Sequence, residues 1–337
     1  MESLAVVFTG REQLELRLEL VPEPGPGEIV LRTRKTLIST GTECICYQRN
    51  FAPGTHWDRW VQYPFHPGYS AAGEVVAVGP GVQGFSLGQR VAARTPHAQY
   101  ALAPAERCVP IPDGLTDEEA TWFGLGCIVQ IGVRAAAHSL GDAVVVIGLG
   151  QLGQLVVQYA RLSGARQIIA VDPAEIRLKL ATQVGATSTL ALTAADARLA
   201  IGELTGGQLA DVVYDVTGHP VVFPAALGLA RRFGTVVLLG DAGSPQLQHL
   251  TGDVITRGLR IVGAHDTHPP ASASEQNRWT HAHMAELFFA YLVRGQMNVA
   301  ALISRSFAAQ SARDAYTLLI TEREKVMGVI LDWEQLE

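Results

Sequence analysis

Hydrophobic and polar positions follow two rhythms along this chain. Residues 14–20 alternate apolar and polar side chains, residues 28–34 follow the turn Pro22-Glu23-Pro24-Gly25-Pro26-Gly27, and 73–78 and Arg90–Ala93 are short, Val- and Ala-rich runs. Alternation with dense Gly and Pro punctuation predicts β-strands. The rhythm changes after Val109-Pro110-Ile111-Pro112-Asp113-Gly114. There Thr116-Asp117-Glu118-Glu119 reads as a helix start, a threonine cap followed by acidic residues. From Gly126 onward short apolar runs alternate with helical spacing. Strands are expected at Ala143–Ile147, Gln167–Val171, 212–216, 235–239 and Arg260–Gly263, with helices between them, the pattern of a parallel, doubly wound sheet. Helices are expected near 284–294 and Ala312–Thr321, before a closing strand at 325–332 that returns the chain to its first domain.

Composition narrows the picture. A chain of 337 residues is too long for one ordinary domain and suits two, and 48% hydrophobic with 17% charged residues supports large cores. The net charge of −6, with no basic run, argues against a nucleic-acid partner. The opening run to Phe8 gives way to Arg11-Glu12, unlike a secretory signal, and no uninterrupted apolar stretch of about 20 residues occurs. A cytoplasmic enzyme without a membrane partner is expected. Cys44, Cys46, Cys108 and Cys127 are too few for a disulfide scaffold.

The most specific chemistry lies in Val144-Val145-Val146-Ile147-Gly148-Leu149-Gly150-Gln151-Leu152-Gly153. A buried strand delivers the chain to a glycine turn, and a helix, expected over 154–163, meets the charge of a pyrophosphate with its N-terminus. Gly148 makes the tight turn, Gly150 leaves room for phosphates, and Gly153 lets the helix pack closely. Gln151 and Leu152 complete the candidate cofactor contacts. Asp172 ends the next apolar strand, roughly 20 residues on, as a dinucleotide fingerprint requires. A carboxylate there accepts from the ribose hydroxyls and repels a 2′-phosphate, so NAD(H) is expected and NADP(H) is disfavoured. Arg177, one turn further, either flanks the adenosine or pairs with Glu175.

Several separate motifs resemble those of the medium-chain dehydrogenase/reductase family over nearly the whole chain: Glu23-Pro24-Gly25-Pro26-Gly27-Glu28, Gly73-Glu74-Val75-Val76-Ala77-Val78-Gly79, Gly88-Gln89-Arg90-Val91 and Gly141-Asp142. The resemblance implies an α/β fold with a β-rich, GroES-like catalytic domain at 1–124, a Rossmann domain at 125–265, and a C-terminal segment, 266–337, returning to the catalytic domain. It implies hydride transfer between a nicotinamide and a carbon centre. In zinc-dependent members the ligands stand in a Cys-Gly-Thr-Asp run, a Gly-His-Glu run, and a third position before the Rossmann domain. This chain has Thr40-Gly41-Thr42-Glu43, Gly68-Tyr69-Ser70 and Gly124 there. Catalytic zinc takes about three Cys, His or carboxylate ligands, so no metal site and no zinc are expected. Cys44, Cys46, His66, His265, His268, His281 and His283, the other candidate ligands, read as buried thiols and surface histidines.

Without a metal, charge developing on a substrate oxygen must be met by hydrogen-bond donors. Tyr69 stands at the ligand-histidine position and is the first candidate. Thr42 matches the hydroxyl that the family uses to relay a proton, and Thr40 and Ser39 lie beside it. The relay's distal histidine corresponds to Ile45, which leaves His66 or His265 as substitutes. Glu43 is expected to order this loop by pairing with an arginine. Gly240, Asp241, Ala264 and His265 follow the strands whose ends hold the nicotinamide amide in the family. The aromatic residues Phe51, His56, Trp57, Trp60, Tyr63 and Phe65 either line a pocket for a bulky, apolar substrate, pack on themselves as a lid, or form a subunit contact.

The run Ser39-Thr40-Gly41-Thr42-Glu43 with Pro67-Gly68-Tyr69 is similar to the branch containing bacteriochlorophyllide dehydrogenases. The leading expectation is a zinc-independent, NAD(H)-dependent enzyme interconverting an alcohol and a ketone or aldehyde on a bulky, apolar small molecule, as a homodimer paired through the strand Arg260–Gly263. The alternatives are NADH-dependent reduction of an activated C=C bond and a catalytically silent nucleotide-sensing subunit.

Overall fold

Short apolar runs become strands throughout. In the computed structural model, which describes residues 1–336, the strands in chain order are β1 (Glu2–Gly10), β2 (Gln13–Leu20), β3 (Glu28–Ile38), β4 (Ala71–Val78), β5 (Arg90–Ala93), β6 (Tyr100–Pro104), β7 (Cys108–Pro110), β8 (Ala143–Ile147), β9 (Gln167–Val171), β10 (Ser188–Leu190), β11 (Ala210–Asp215), β12 (Ala230–Leu238), β13 (Arg260–Gly263), β14 (Ile303–Ala308) and β15 (Gly328–Asp332). Two compact units result. One comprises Met1–Cys127 and the chain from Pro270 on, and the other Ile128–Pro269.

In the first unit β1 and β2 pair as an antiparallel hairpin, and a mixed sheet runs β14-β15-β3-β4-β5-β7, with β6 also on β3. The opening residues, which carry no strand expectation in the sequence reading, form β1 because Ala5, Val6, Val7 and Phe8 are all buried. The closing strand is shorter than expected, beginning at Gly328. It lies inside the sheet between β14 and β3, so residues far apart in the chain share one layer. The core packs Phe8, Tyr47, Trp57, Tyr316, Val329 and Trp333 together, and the indole N–H of Trp333 donates to Thr36 Oγ1 at 3.0 Å.

The second unit is a six-stranded, all-parallel sheet in the order β10-β9-β8-β11-β12-β13. Its central strand β8 is buried at every position, as a parallel strand covered on both faces must be. Strand order reverses between β8 and β11, and in open α/β sheets such a reversal opens a ligand crevice at the carboxyl ends of the strands. The helix after β8 begins at Gln151 rather than at 154, because extended Gly150 already serves as its N-cap. No helix among the described residues is long and apolar enough to cross a membrane.

Candidate active site

The glycines after β8 do three different things. Gly148 has φ +88°, and a Cβ there would lie 2.7 Å from Thr217 Cγ2. A Cβ on Gly153 would lie 2.0 Å from the Gly148 carbonyl oxygen, so the helix Gln151–Leu162 can approach the turn only without a side chain there. Gly150 has nothing within 4 Å of its would-be Cβ. The protein's own packing therefore requires Gly148 and Gly153, whereas the open space at Gly150, beside a helix N-terminus, fits a phosphate group. Gln151 is buried and Leu152 partly buried at the start of that helix.

Asp172, at the end of β9, is buried. Its oxygens accept the N–H groups of Leu149 and Ala174, both at 2.8 Å, so it braces the glycine turn from the next strand. Arg177 lies 3.5 Å from this carboxylate, and so faces Asp172 where pairing with Glu175 was one expectation. Gln154 carries no recognisable motif, yet its amide donates to the carbonyls of Leu149 (3.1 Å) and Arg177 (2.9 Å). It stitches the turn to the first turn of the helix Glu175–Val184. Further along the strand ends, Gly240 N–H donates to the Asp215 carbonyl (3.0 Å), and a Cβ on Gly240 would fall 2.4 Å from Gly218 N. Ala264 N–H donates to Leu238 O, and His265 is exposed with Nδ1 2.9 Å from Thr267 Oγ1.

In the first unit, Ser39 caps the helix Thr40–Gln48, which puts Thr40, Thr42 and Glu43 in its first turns. The phenol of Tyr69 donates to Ser39 Oγ at 2.6 Å and is hydrogen-bonded to Thr42. Three hydroxyls thus form one cluster, with Thr40 adjoining Ser39 in the chain. Burial pushes the Tyr69 phenol up to about 12. The hydroxyls of Ser39 and Thr42 oppose the shift, the Glu43 charge adds to it, and the Arg94 guanidinium, 6.0 Å from the ring centre, also opposes it. Tyr69 is consequently a neutral phenol across the physiological range.

Glu43 does not pair with an arginine as expected. It is 2% exposed and accepts hydrogen bonds from the Ser39 N–H, from His97 Nε2 at 2.8 Å, and from the Tyr316 hydroxyl. The His97 contact depends on glycine. Gly68 has φ +99°, and a Cβ there would sit 2.7 Å from His97 N. His97 stands in a run without pattern and Tyr316 reads as one more core aromatic, so neither draws notice in the sequence. His66 is not a proton carrier for this cluster, since its Nε2 meets the Glu19 carboxylate at 3.0 Å on the surface, while Ile45 packs against the apolar core. Cys44 and Cys46 are buried thiols, and burial pushes Cys44 up to about 12.

The aromatic segment is largely consumed by packing. Trp57 is buried, with Phe51 at 6.4 Å and Trp60 at 5.8 Å between ring centres, and Phe65 stacks on Phe8 at 6.2 Å. The Arg49 guanidinium lies over Phe51 and Tyr63. Of the three expected uses, packing of the segment on itself and on the core is the one the side chains display.

Residues 25–113 match the model of the alcohol dehydrogenase GroES-like domain, and residues 152–279 match that of the zinc-binding dehydrogenases. L-threonine 3-dehydrogenase of Pyrococcus furiosus is 30% identical over 283 residues, 74% of this chain and 78% of the relative. The enzyme of that name from Chromobacterium violaceum is 26% identical over 95% of this chain and 96% of its own. In fold, a Sinorhizobium meliloti 1021 protein described as a zinc-binding dehydrogenase, bound to NADP, superposes with a TM-score of 0.82 at 23% identity, covering 98% of this chain and 99% of the other.

These matches correct the cofactor expectation. The matched model is one of zinc-binding dehydrogenases and the Sinorhizobium protein holds NADP, so neither the preference for NAD(H) over NADP(H) nor the expectation of no zinc stands. Tested against zinc, the donors gathered around Tyr69 do not fit. They are hydroxyls and one carboxylate that already accepts three hydrogen bonds, and no group of three or more His, Cys, Asp or Glu side chains suited to a metal occurs among the described residues. The nicotinamide dinucleotide does fit, through the open space at Gly150. Carrying both domain models and a relative at 30% identity, the chain belongs to the medium-chain, alcohol dehydrogenase-like family of zinc-binding dehydrogenases and is an NAD(P)-dependent oxidoreductase.

Proposed function

We propose that this enzyme interconverts an alcohol with its ketone or aldehyde and that Tyr69 is the proton-handling group. When bound, the nicotinamide supplies or accepts the hydride. Gly148, Gly150, Gln151, Leu152 and Gly153 hold the pyrophosphate in this reading, with Asp172 and Arg177 beside the adenosine end and Gly240, Ala264 and His265 beside the nicotinamide. In the reducing direction a C–H bond forms, the carbonyl π bond breaks, and the oxygen takes the phenol proton of Tyr69. A hydroxyl-to-hydroxyl hydrogen bond can run either way. Ser39 or Thr42 therefore relays a proton from solvent to the phenolate oxygen, taking one as it gives one, with Thr40 next along the helix.

The observation that carries this reading is the 2.6 Å contact between Tyr69 and Ser39, made by a phenol that burial keeps protonated. Such a group offers a donor where oxyanion charge develops without itself ionising near neutral pH. A homodimer paired through β13 belongs to the same reading, because that strand closes the sheet on one side and leaves an edge that can pair.

The test is NADH and NADPH oxidation against a panel of ketones, aldehydes, conjugated enones and enoyl thioesters, with products identified. Alcohol products are expected. Saturated carbonyl products would replace this reading with C=C reduction, and dinucleotide binding without turnover on any member would replace it with a silent sensor.

A further inference from the structure

The hydroxyl cluster is tied to two distant parts of the chain through one buried carboxylate. Every side-chain oxygen of Glu43 receives a donor: Oε1 takes the Ser39 N–H at 2.8 Å, and Oε2 takes both His97 Nε2 and the Tyr316 hydroxyl. An ionised carboxylate only accepts, so this set suits the anion. His97 Nε2 is the ring atom that reaches Glu43, and its Nδ1 is buried without a hydrogen-bond partner. Glu43 in turn donates its own N–H to the Ser39 carbonyl at 2.9 Å. Ser39 is therefore fixed on both sides of its peptide framework by one residue, and its Oγ is the atom that receives the Tyr69 phenol. The ring of Tyr316 has its own support, with Phe8 at 5.1 Å and Tyr47 at 5.3 Å between centres, so its hydroxyl can be removed without displacing the ring.

We propose that His97 and Tyr316 are positioning residues for Tyr69, acting through Glu43 and Ser39. The inference rests on the reading of Tyr69 as proton donor. Loss of either donor leaves a buried carboxylate oxygen short of a partner, a costly condition that it relieves by turning to another donor. Ser39 carries one, its own hydroxyl, on a residue already bonded to Glu43. A Ser39 side chain turned to Glu43 carries its Oγ away from the Tyr69 phenol that donates to it, and the phenol loses the group that restores its proton.

A double-mutant cycle reads this directly. With the panel carbonyl that the unmodified enzyme reduces fastest, Tyr316→Phe is expected to lower kcat about tenfold, a part of the roughly hundredfold loss in Tyr69→Phe, while Kd for NADH and NADPH holds. In the Tyr69→Phe background Tyr316→Phe should cost nothing further, because the phenol it positions is already gone. His97→Gln, which keeps an amide donor, should retain more activity than His97→Leu. An equal fold-loss in both backgrounds, or no loss in the first, overturns the proposal. Wild-type rates in Tyr69→Phe instead overturn the proton-donor reading, a separate failure. Should turnover be unmeasurable, the crystal structure of Tyr316→Phe decides: the Tyr69–Ser39 contact is expected to lengthen beyond hydrogen-bonding range, and an unchanged contact overturns the proposal.

Discussion

At the scale of single residues, Tyr69 carries the most consequence. Replacing it with phenylalanine leaves the ring and removes one oxygen, so kcat should fall about a hundredfold, the order of one lost general acid, with dinucleotide affinity unchanged in a fluorescence titration. The pH profile adds an independent check. A proton donor must be protonated, and burial raises the phenol to about 12 from an ordinary 10, so the alkaline limb moves up by that interval. Reduction rates should hold through pH 10 and decline only as pH nears 12; a limb centred on 10 would show that the phenol responsible is not Tyr69. Thr40 and Thr42 were legible together because they stand two apart in one run, whereas Tyr69 was singled out only through the family resemblance, which puts it at the ligand-histidine position. Glu43 was legible as a loop-ordering residue, but the arginine expected for it was wrong. Nothing local to a carboxylate announces which distant donor will reach it.

At the scale of elements, the glycine turn separates two roles that sequence spacing presents as one. Gly153→Ala forces a Cβ to 2.0 Å from the Gly148 carbonyl, so the helix Gln151–Leu162 has to move off β8. Both thermal stability and dinucleotide binding should suffer, with a loss of a few kcal/mol expected for such a backbone clash. Gly150→Ala meets no protein atom within 4 Å. Its Tm should stay near that of the unmodified chain while Kd for NADH and NADPH rises, and calorimetry beside titration distinguishes the pair. The strands β8 and β9 were legible because a parallel strand covered on both faces is apolar throughout, and the helix Ala312–Thr321 because its apolar positions recur at helical spacing. β1 gave no expectation although its apolar run is continuous. Its burial depends on partners elsewhere, including Phe65, whose backbone exchanges hydrogen bonds with that of Phe8.

At the scale of the molecule, the first unit is assembled from both ends of the chain, since β15 lies between β14 and β3 and Tyr316 reaches Glu43. The second unit has its own pH dependence. His138 is buried against Tyr214, at 2.7 Å, and burial lowers its pKa from the ordinary 6.5, with Asp142 opposing. As pH falls through 6.5 the unfolded chain binds this proton before the folded chain does, so the stability contributed by neutral His138 is present above 6.5 and lost below it. Chemical denaturation at pH 7.5 and 5.5 should show a smaller acid-side loss in His138→Gln than in the unmodified protein. Equal losses would assign the acid sensitivity elsewhere.

By itself the sequence determined the α/β class, the parallel sheet, the glycine turn with Asp172 and the run that brings Thr40 and Thr42 together, because each is written in the spacing of near neighbours and in backbone conformations that only certain residues adopt. Tertiary structure alone decided what the buried groups do. His97 lies 54 residues from Glu43 and Tyr316 lies 273 residues away, yet both close on one carboxylate oxygen. Gln154 joins the glycine turn to the helix Glu175–Val184, and the aromatic segment is spent on packing. A buried polar atom takes whichever partner the packed chain brings within hydrogen-bond reach, and that choice is made by three-dimensional proximity, which linear spacing does not encode.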